Sequence, residues 1–247
     1  GGINTVKNDY FGVLTINGGN FSNTAQYVIM NWNKAEITAG TFRTLDTASA
    51  VLFTSAFGGN ANYVGKLTIS GGEFKHASDT QEMIVDHYNA SNSGTAAVTG
   101  GKFDADISAY VPNGYIQNEN GAVETLGETN AVAKVGGTYY KTLADAVAAA
   151  QDGDTITLLK DAELTSTLNL AKNITIDGQG KYTIKAANSF TVGSDNKTYC
   201  VLYVSGEVTL KDVTVNGNEK CRVIFCDKGK LTIDGGSLDG KNDKKDG

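Results

Sequence analysis

The sequence predicts an all-β fold, a right-handed parallel β-helix of two stacked units, and three observations support this prediction. A motif of strand, turn and apolar anchor, clearest in Leu67–Phe74, recurs from one end of the chain to the other. Most copies follow a short and almost wholly apolar strand. The 247 residues include 30 glycines and a single proline, which favours strands joined by tight turns. Repeats of this size cannot bury an apolar face alone, so they must stack on their neighbours.

The repeated motif combines a half-buried strand with a sharp turn. In Leu67–Phe74, Leu67 and Ile69 alternate with polar residues, which is the period of a strand with one buried face. Two glycines then let the backbone turn, and Phe74 returns to the apolar side. The other copies that keep the turn are residues 14–21, 36–42, 97–103 and 231–238.

Apolar strands precede most of these copies, and they predict the second sheet of each unit. Parallel stacking places like side chains above one another, so Tyr203 and Phe225 should form one ladder of rings. The apolar strands are Tyr27–Met30, Val51–Phe53, Met83–Val85, Val201–Val204 and Val223–Phe225.

Composition divides the chain into two β-helix units joined by a linker. The first unit covers residues 1–117, and Asp, Pro and Asn-Gly turn residues with two aromatics between Asp104 and Tyr115 favour a closed end. Residues 118–131 are rich in Asn, Glu and Gly and are predicted to be the linker. The second unit covers residues 132–247.

A short helix near residues 142–151 is expected to open the second unit, after a hairpin-like strand at Ala133–Tyr140. Thr142 can cap the helix with Asp145 three residues later, and Gly153 ends it. A helix with one apolar face would cover the open end of the first coil. That face consists of Leu143, Ala146, Val147 and Ala150.

Composition also excludes several classes of partner. The net charge is −6 and only two residues are arginine, which argues against nucleic acid. No apolar run is long enough for membrane insertion within this segment. No Cys/His spacing is typical of a metal site, so we expect no metal and no cofactor. We also expect a monomer. Of the three cysteines, Cys226 is expected to be buried, and a disulfide between Cys200 and Cys221 is possible.

Two stretches resemble a known family. Tyr140–Ala150 followed by Gly153–Asp161 is similar to the opening of pectate-lyase-like β-helix domains, of the pectin-lyase superfamily, in large surface proteins of Gram-positive gut bacteria. Residues 100–115 resemble the closing segment of such domains. The resemblance implies an adhesin-like module that is secreted or attached to the cell wall. Because the chain opens and closes within repeats, we expect a segment of a longer protein whose export and anchoring signals lie outside it.

Catalysis is the alternative hypothesis. Ile174–Gly180 resembles a coil motif of polygalacturonases, and Asp177 and Asp234 are the obvious candidates for a pair of catalytic carboxylates. Each precedes a glycine, where an aspartate ordinarily bonds the backbone of the turn. The Asn-Thr-Asp, Asp-Asp, Gly-His-Gly and Arg-Ile-Lys motifs of the hydrolases and the Arg-x-Pro-x-x-Arg motif of the lyases are absent. A lyase or hydrolase acting on uronate-containing polysaccharide is therefore the second choice.

The preferred hypothesis is a non-catalytic surface module that acts as a spacer and binds glycans or host protein. Sugars bind flat aromatic rings with amides or carboxylates beside them. Trp32 has such neighbours, although it shares strand parity with Val28 and Met30 and could fill the core instead. His87 needs no function as an exposed residue at a strand end, and a place in a sugar site with Tyr88 is the alternative. The predicted ligand-binding residues are Asn31, Trp32, Asn33, Asp86, His87 and Tyr88.

Overall fold

The structure is a computed structural model that describes residues 3–45, 50–59, 62–78, 81–89 and 91–240. Strands dominate it, and several of its sheets are parallel. The chain divides into two compact units, Gly1–Thr125 and Leu126–Gly247. Within the described ranges, no helix is both long and apolar enough to cross a membrane.

The described residues of the first unit form twelve strands and two single-turn 3-10 helices, at Phe57–Gly59 and Ser108–Tyr110. The strands are β1 (Val6–Asn8), β2 (Val13–Asn23), β3 (Tyr27–Asn31), β4 (Lys34–Thr44), β5 (Ala50–Thr54), β6 (Lys66–Lys75), β7 (Glu82–Val85), β8 (His87–Asn89), β9 (Asn92–Ser93), β10 (Thr95–Phe103), β11 (Tyr115–Gln117) and β12 (Val123–Thr125).

Two four-stranded parallel sheets make up most of the first unit. Their strand orders are β1-β3-β5-β7 and β2-β4-β6-β10, so the chain alternates between the two sheets. The first sheet contains the apolar strands that the sequence predicts, and the second contains the glycine-turn motifs. The short pairs β8–β9 and β11–β12 are antiparallel.

The four phenylalanine anchors form a continuous stack of rings. Neighbouring ring centroids, from Phe21 through Phe42 and Phe74 to Phe103, lie 5.0, 4.8 and 4.5 Å apart, and adjacent rings are tilted by 7° or less. Packing requires the first glycine of the turn before Phe74 and before Phe103, because a Cβ at Gly71 or Gly100 would lie against a backbone carbonyl of the neighbouring strand. A Cβ at Gly71 would lie 2.1 Å from the carbonyl oxygen of Thr38 on the neighbouring strand. The motif therefore fixes both the turn and the register of the sheet.

One end of the first unit is covered by its own chain. Ile107, Val111 and Val123 are buried in the same apolar cluster as the phenylalanine anchors. The Tyr110 hydroxyl donates a hydrogen bond of 3.1 Å to the carbonyl of Ile84. Residues 118–131, for which the sequence predicts a linker, contain strand β12 and three buried apolar residues, Val123, Leu126 and Ala131. The stretch was predicted to be a linker because most of its residues are polar, but its few apolar side chains are buried.

The second unit contains one α-helix, α1 (Leu143–Ala149), among its described residues. Its strands are β13 (Ala133–Val135), β14 (Thr138–Tyr140), β15 (Thr155–Leu158), β16 (Ala162–Leu164), β17 (Leu168–Leu170), β18 (Ile174–Asp177), β19 (Thr183–Ala186), β20 (Cys200–Val204), β21 (Glu207–Asn216), β22 (Arg222–Cys226) and β23 (Lys230–Asp239).

Parallel pairing also organises the second unit. Strands β15, β18, β21 and β23 pair in parallel in that order, β16 and β19 extend from β21, and β17-β20-β22 form a separate sheet. Strands β13 and β14 form the expected antiparallel hairpin. The Tyr203 and Phe225 rings are stacked 6.0 Å apart, which confirms the predicted ladder.

The predicted helix is confirmed. The Thr142 hydroxyl accepts a hydrogen bond of 3.0 Å from the backbone of Asp145, which is the expected cap. The apolar face is buried in the core of the unit. At the other end, the Lys172 ammonium donates to the carbonyls of Val147, Ala148 and Ala150 at 3.2, 2.7 and 2.6 Å. A lysine is favourable there because it satisfies terminal carbonyls and opposes the helix dipole.

The cysteines differ from the prediction. Cys226 is exposed, whereas the sequence predicts that it is buried. It lies on β22, the last strand of its sheet, so no further strand of the described chain covers its column. Cys200 and Cys221 are buried and free, so they do not form a disulfide. Burial raises the pKa of the Cys221 thiol to about 11, which keeps it protonated at neutral pH.

Candidate functional site

Six aromatic side chains cluster at one edge of the sheet β1-β3-β5-β7. They come from the chain segments that follow each of its four strands, and parallel strands paired in register end at the same edge. We call this cluster the aromatic platform. It consists of Tyr10, Phe11, Trp32, Phe57, Tyr63 and Tyr88.

The rings of the platform pack directly against one another. Tyr10 stacks on Phe57 with centroids 4.7 Å apart, and Phe11 meets Tyr63 edge-on at 5.5 Å. Trp32 contacts Phe57 edge-on at 5.5 Å and lies 6.1 Å from Tyr88. Such pairs favour fixed ring orientations, each contributing about 0.5–1.5 kcal/mol beyond burial. The rings of the platform therefore hold one another in place.

The platform has a buried floor and an exposed upper surface. Trp32 is only 8% exposed, which matches the core-filling alternative for this residue. Phe11 is 73% exposed and Tyr88 68% exposed, and Phe57 also reaches solvent. The three exposed rings are joined through half-buried Tyr10 and Tyr63 and buried Trp32, and an exposed apolar patch of this kind ordinarily marks a binding site.

Backbone and amide hydrogen bonds position the loops that carry these rings. The Asn33 side chain donates to the carbonyl of Gly12 at 2.9 Å, and the Gly12 amide donates to the carbonyl of Asp9 at 2.7 Å. These two bonds fix the turn that presents Tyr10 and Phe11. In the next loop, the Phe57 amide donates to the carbonyl of Tyr63 at 2.9 Å.

Asn31 is a correction to the predicted ligand-binding set, because its side chain is fully buried. Its amide oxygen accepts a hydrogen bond of 2.7 Å from Asn8, and its amide nitrogen donates to the Thr54 hydroxyl at 3.0 Å and to the carbonyl of Asn33 at 2.7 Å. Asn8, Asn31 and Thr54 are the last residues of β1, β3 and β5, so the bonds between their side chains form a polar ladder beneath the platform. Asn31 supports the site and does not contact solvent.

The remaining predicted residues lie at the edge of the platform. The Tyr88 backbone amide donates to the buried Ser55 hydroxyl at 2.9 Å, which anchors the ring beside Trp32. His87 Nδ1 lies 3.0 Å from Asp86 Oδ1, and both side chains reach solvent. The structure therefore brings Trp32 and Tyr88 together, as expected, and adds the Asp86–His87 pair at the side.

An open groove with a volume of about 430 Å³ is lined in part by residues next to platform residues in the sequence, since Asn33 follows Trp32 and Asn62 and Val64 flank Tyr63. It contains two lysines, whose ammonium groups are able to bond the hydroxyl or acidic groups of a ligand. Lys34 and Lys66 are directly paired across β4 and β6, and neither forms an ion pair within the described residues. Like charges in this position repel one another unless an anion lies between them. The groove is lined by Asn33, Lys34, Asn62, Val64, Lys66 and Thr68.

The two candidate catalytic carboxylates lie on one face of the second unit, with a lysine between them. Asp177 pairs in register with Lys211, and Lys211 with Asp234. Asp177 accepts hydrogen bonds from Lys211 at 3.0 Å and from the Gln179 amide at 2.8 Å. Partial burial alone would raise the pKa of Asp177, but these two bonds together lower it.

This arrangement is that of a turn residue in an ion pair. Inverting hydrolysis needs a water between two free carboxylates, one of them with a raised pKa. Here the Lys211 ammonium bonds Asp177, and Asp234 is exposed at the surface. Among the described residues, no group of three or more His, Cys, Asp or Glu side chains is arranged to hold a metal ion.

Four platform residues, Tyr10, Phe11, Phe57 and Tyr63, are not in the predicted set. They lie outside the predicted strands, where hydrophobic periodicity gives no signal. The one signal in the sequence is that an aromatic residue lies shortly after each of β1, β3, β5 and β7, which could have found Tyr10, Phe11 and Phe57; Tyr63 lies farther along its segment. In comparisons with known proteins, no protein-family model, curated protein or solved structure matches this chain.

Proposed function

We propose that this chain is a non-catalytic recognition module that binds carbohydrate on the aromatic platform. The observation that carries the proposal is the exposed surface of packed rings, with Phe11 and Tyr88 at its margins. The apolar faces of sugar rings pack on aromatic rings, while their hydroxyl groups bond amides and charged groups nearby. The groove beside the platform supplies such polar groups.

The lysine pair favours an acidic glycan. Lys34 and Lys66 are neighbours and give this part of the surface a positive charge, whereas the net charge of the chain is −6. A uronate or sulfate group placed between the two ammonium groups would relieve their repulsion. Neutral glycans lack this interaction. We therefore expect acidic glycans to bind more tightly than neutral ones of the same length.

The proposal includes a right-handed parallel β-helix as the support for the platform. The alternation of the chain between two parallel sheets favours a coiled path, and crossover connections between parallel strands are right-handed in almost all proteins. The stack of four phenylalanines agrees with successive coils in register. A rigid stack of this kind suits a spacer in a cell-surface, adhesin-like protein, which is the setting that the resemblance to pectate-lyase-like domains implies.

A glycan array with three purified proteins tests the proposal. Wild type is compared with the variants Phe11→Ala and Tyr88→Ala, which remove exposed rings and leave the floor intact. We expect wild type to bind a set of acidic glycans and each variant to bind them at least about tenfold more weakly, equal to about 1.4 kcal/mol.

Val13→Ala is the matched control. Val13 is 70% exposed and belongs to none of the ring contacts, so its loss should leave binding unchanged. Absence of any glycan bound by wild type, or equal binding by all four proteins, would refute the proposal. Binding of a host protein instead, lost in the same two variants, would keep the platform as the site but change the class of its ligand.

A further inference from the structure

A row of four exposed side chains crosses the sheet β2-β4-β6-β10 where its strands begin. The register pairs Val13 with Lys34 and Lys34 with Lys66. Lys66 pairs in turn with Thr95, and these four are the first residues of their strands. We call them the lysine row. Its two charged members lie side by side in the middle, and its two outer members are uncharged.

The lysine row belongs to the same four repeats as the aromatic platform. In the first three repeats a platform ring precedes the row member by two or three residues, which keeps their Cα atoms within about 11 Å of each other. These pairs are Phe11 and Val13, Trp32 and Lys34, and Tyr63 and Lys66. In the fourth repeat the Gly94 amide donates to the carbonyl of Asp86 at 2.6 Å and closes the hairpin β8–β9, so β10 begins close to the end of β7. A glycan that lies on the rings across successive strands therefore passes the row as well.

Three carboxylates limit where the negative charge of a ligand can lie. Glu36 is on the same exposed face, two residues along β4 from the row, which is roughly 7 Å. It forms no ion pair within the described part of the chain. Beside the platform, the Lys7 ammonium bonds Asp9 at 3.0 Å and His87 lies 3.0 Å from Asp86, so these cations already have partners. An added anion is therefore favoured between the two lysines of the row and opposed one step away by Glu36.

We propose that this site selects glycans in which single acidic sugars are separated by neutral ones. The inference rests on the proposed carbohydrate binding and narrows its ligand class. One carboxylate or sulfate lies between the Lys34 and Lys66 ammonium groups and relieves their repulsion. The sugars on either side lie against Val13 and Thr95, which offer no opposite charge. A second carboxylate there loses hydration without gaining an ion pair, so a polymer that is acidic at every sugar binds more weakly.

Calorimetric titration with three hexasaccharides tests this selection. The first alternates glucuronate with N-acetylglucosamine, the second is hexagalacturonate, and the third is the neutral hexamer of N-acetylglucosamine. Attraction by charge alone predicts that hexagalacturonate binds best, because every one of its sugars is acidic. The lysine row predicts instead that the alternating hexasaccharide binds at least about fivefold more tightly than either of the others.

A variant that lengthens the charged part of the row tests the cause. Thr95→Lys places a third ammonium group beside Lys66. It should strengthen the binding of hexagalacturonate and lower the preference for the alternating hexasaccharide at least about threefold. Circular dichroism confirms that the variant is folded.

Ser70→Lys is the matched control for this variant. It adds the same charge on the exposed face of β6, but roughly 13 Å from the row, which exceeds the screening length of about 10 Å at 0.1 M salt. The control should keep the preference of wild type.

The outcomes separate this inference from the proposed function. If hexagalacturonate binds as tightly as the alternating hexasaccharide, and Tyr88→Ala loses both, the selection is overturned and the carbohydrate site stands. An equal preference in wild type and Thr95→Lys also overturns it, because the row then does not set the preference. Failure of all three hexasaccharides to bind overturns the inference, and a glycan array without any bound glycan overturns the proposed function with it.

Discussion

Asn31 shows how a single buried amide can organise the edge of a sheet. Its side chain joins the ends of β1, β3 and β5 through bonds to Asn8 and Thr54. We predict that Asn31→Ala lowers the free energy of unfolding by about 1–3 kcal/mol, because it leaves buried polar groups without partners. Chemical denaturation measures the change, with Asn89→Ala, at an exposed position, as the control. Equal stability of the two variants would contradict the ladder.

The lowered pKa of Asp177 predicts how the stability of the folded protein depends on pH. Its pKa in the folded protein is lower than the ordinary value of 3.8, so the ionised form is stabilised by folding. This contribution is fully present above that value and is lost as the pH falls through the lower, folded-state pKa. We expect Asp177→Asn to be less stable than wild type at neutral pH and equal to it at strongly acidic pH.

Chemical denaturation of wild type and Asp177→Asn, from neutral to strongly acidic pH, measures the difference in their free energies of unfolding. Asp234→Asn is the control, because Asp234 is exposed and accepts no hydrogen bond within the described residues. A difference between wild type and Asp177→Asn that persists unchanged in strong acid would show that the effect does not arise from the charge. A stability difference that depends on pH in the expected way would show a structural role for Asp177 and would not support the alternative that Asp177 is a catalytic residue.

At the scale of the residue, the sequence predicts burial better than contact. It correctly predicts that Phe74 and its counterparts are apolar anchors and that Thr142 caps a helix. It wrongly assigns Asn31 to a ligand surface and Cys226 to the core. Cys226 was assigned by strand parity, which does not tell whether another strand covers a residue, and Asn31 by its position next to Trp32, which does not tell on which side of the strand its amide lies.

The helix α1 depends on a residue far from it in sequence. Lys172 bonds three carbonyls at its end, and no other lysine takes this place in the described chain. We predict that Lys172→Met lowers the free energy of unfolding by about 1–2 kcal/mol, since hydrogen bonds to a charged group are lost. Thermal unfolding followed by circular dichroism measures the change.

Lys181→Met is the control for this element, because Lys181 is exposed and lies over the Tyr182 ring instead of a helix end. A melting temperature of Lys172→Met equal to that of the control would contradict the role of Lys172. The helix itself could be predicted from sequence, since its cap and its apolar face are local features. The long-range bond from Lys172 could not, because no local pattern specifies it.

At the scale of the whole molecule, the mainly β character and the parallel pairing follow from the repeats. The Tyr203–Phe225 ladder was predictable because parallel stacking aligns equivalent positions. The platform was only partly predictable. Trp32 and Tyr88 were expected to be close together, but Tyr10, Phe11, Phe57 and Tyr63 lie in connections whose conformation depends on contacts with one another. The polar ladder beneath the platform is likewise a product of tertiary packing.

The most direct test of the central claim, that the platform binds carbohydrate, uses the single tryptophan of the chain. Trp32 is the buried floor of the platform, so its fluorescence reports on ligands that cover the rings above it. Titration with acidic oligosaccharides should change the emission of wild type in a saturable way, and Tyr88→Ala should lose at least about tenfold in affinity. Emission that stays constant with every acidic and neutral glycan, in protein that is folded, would contradict the claim.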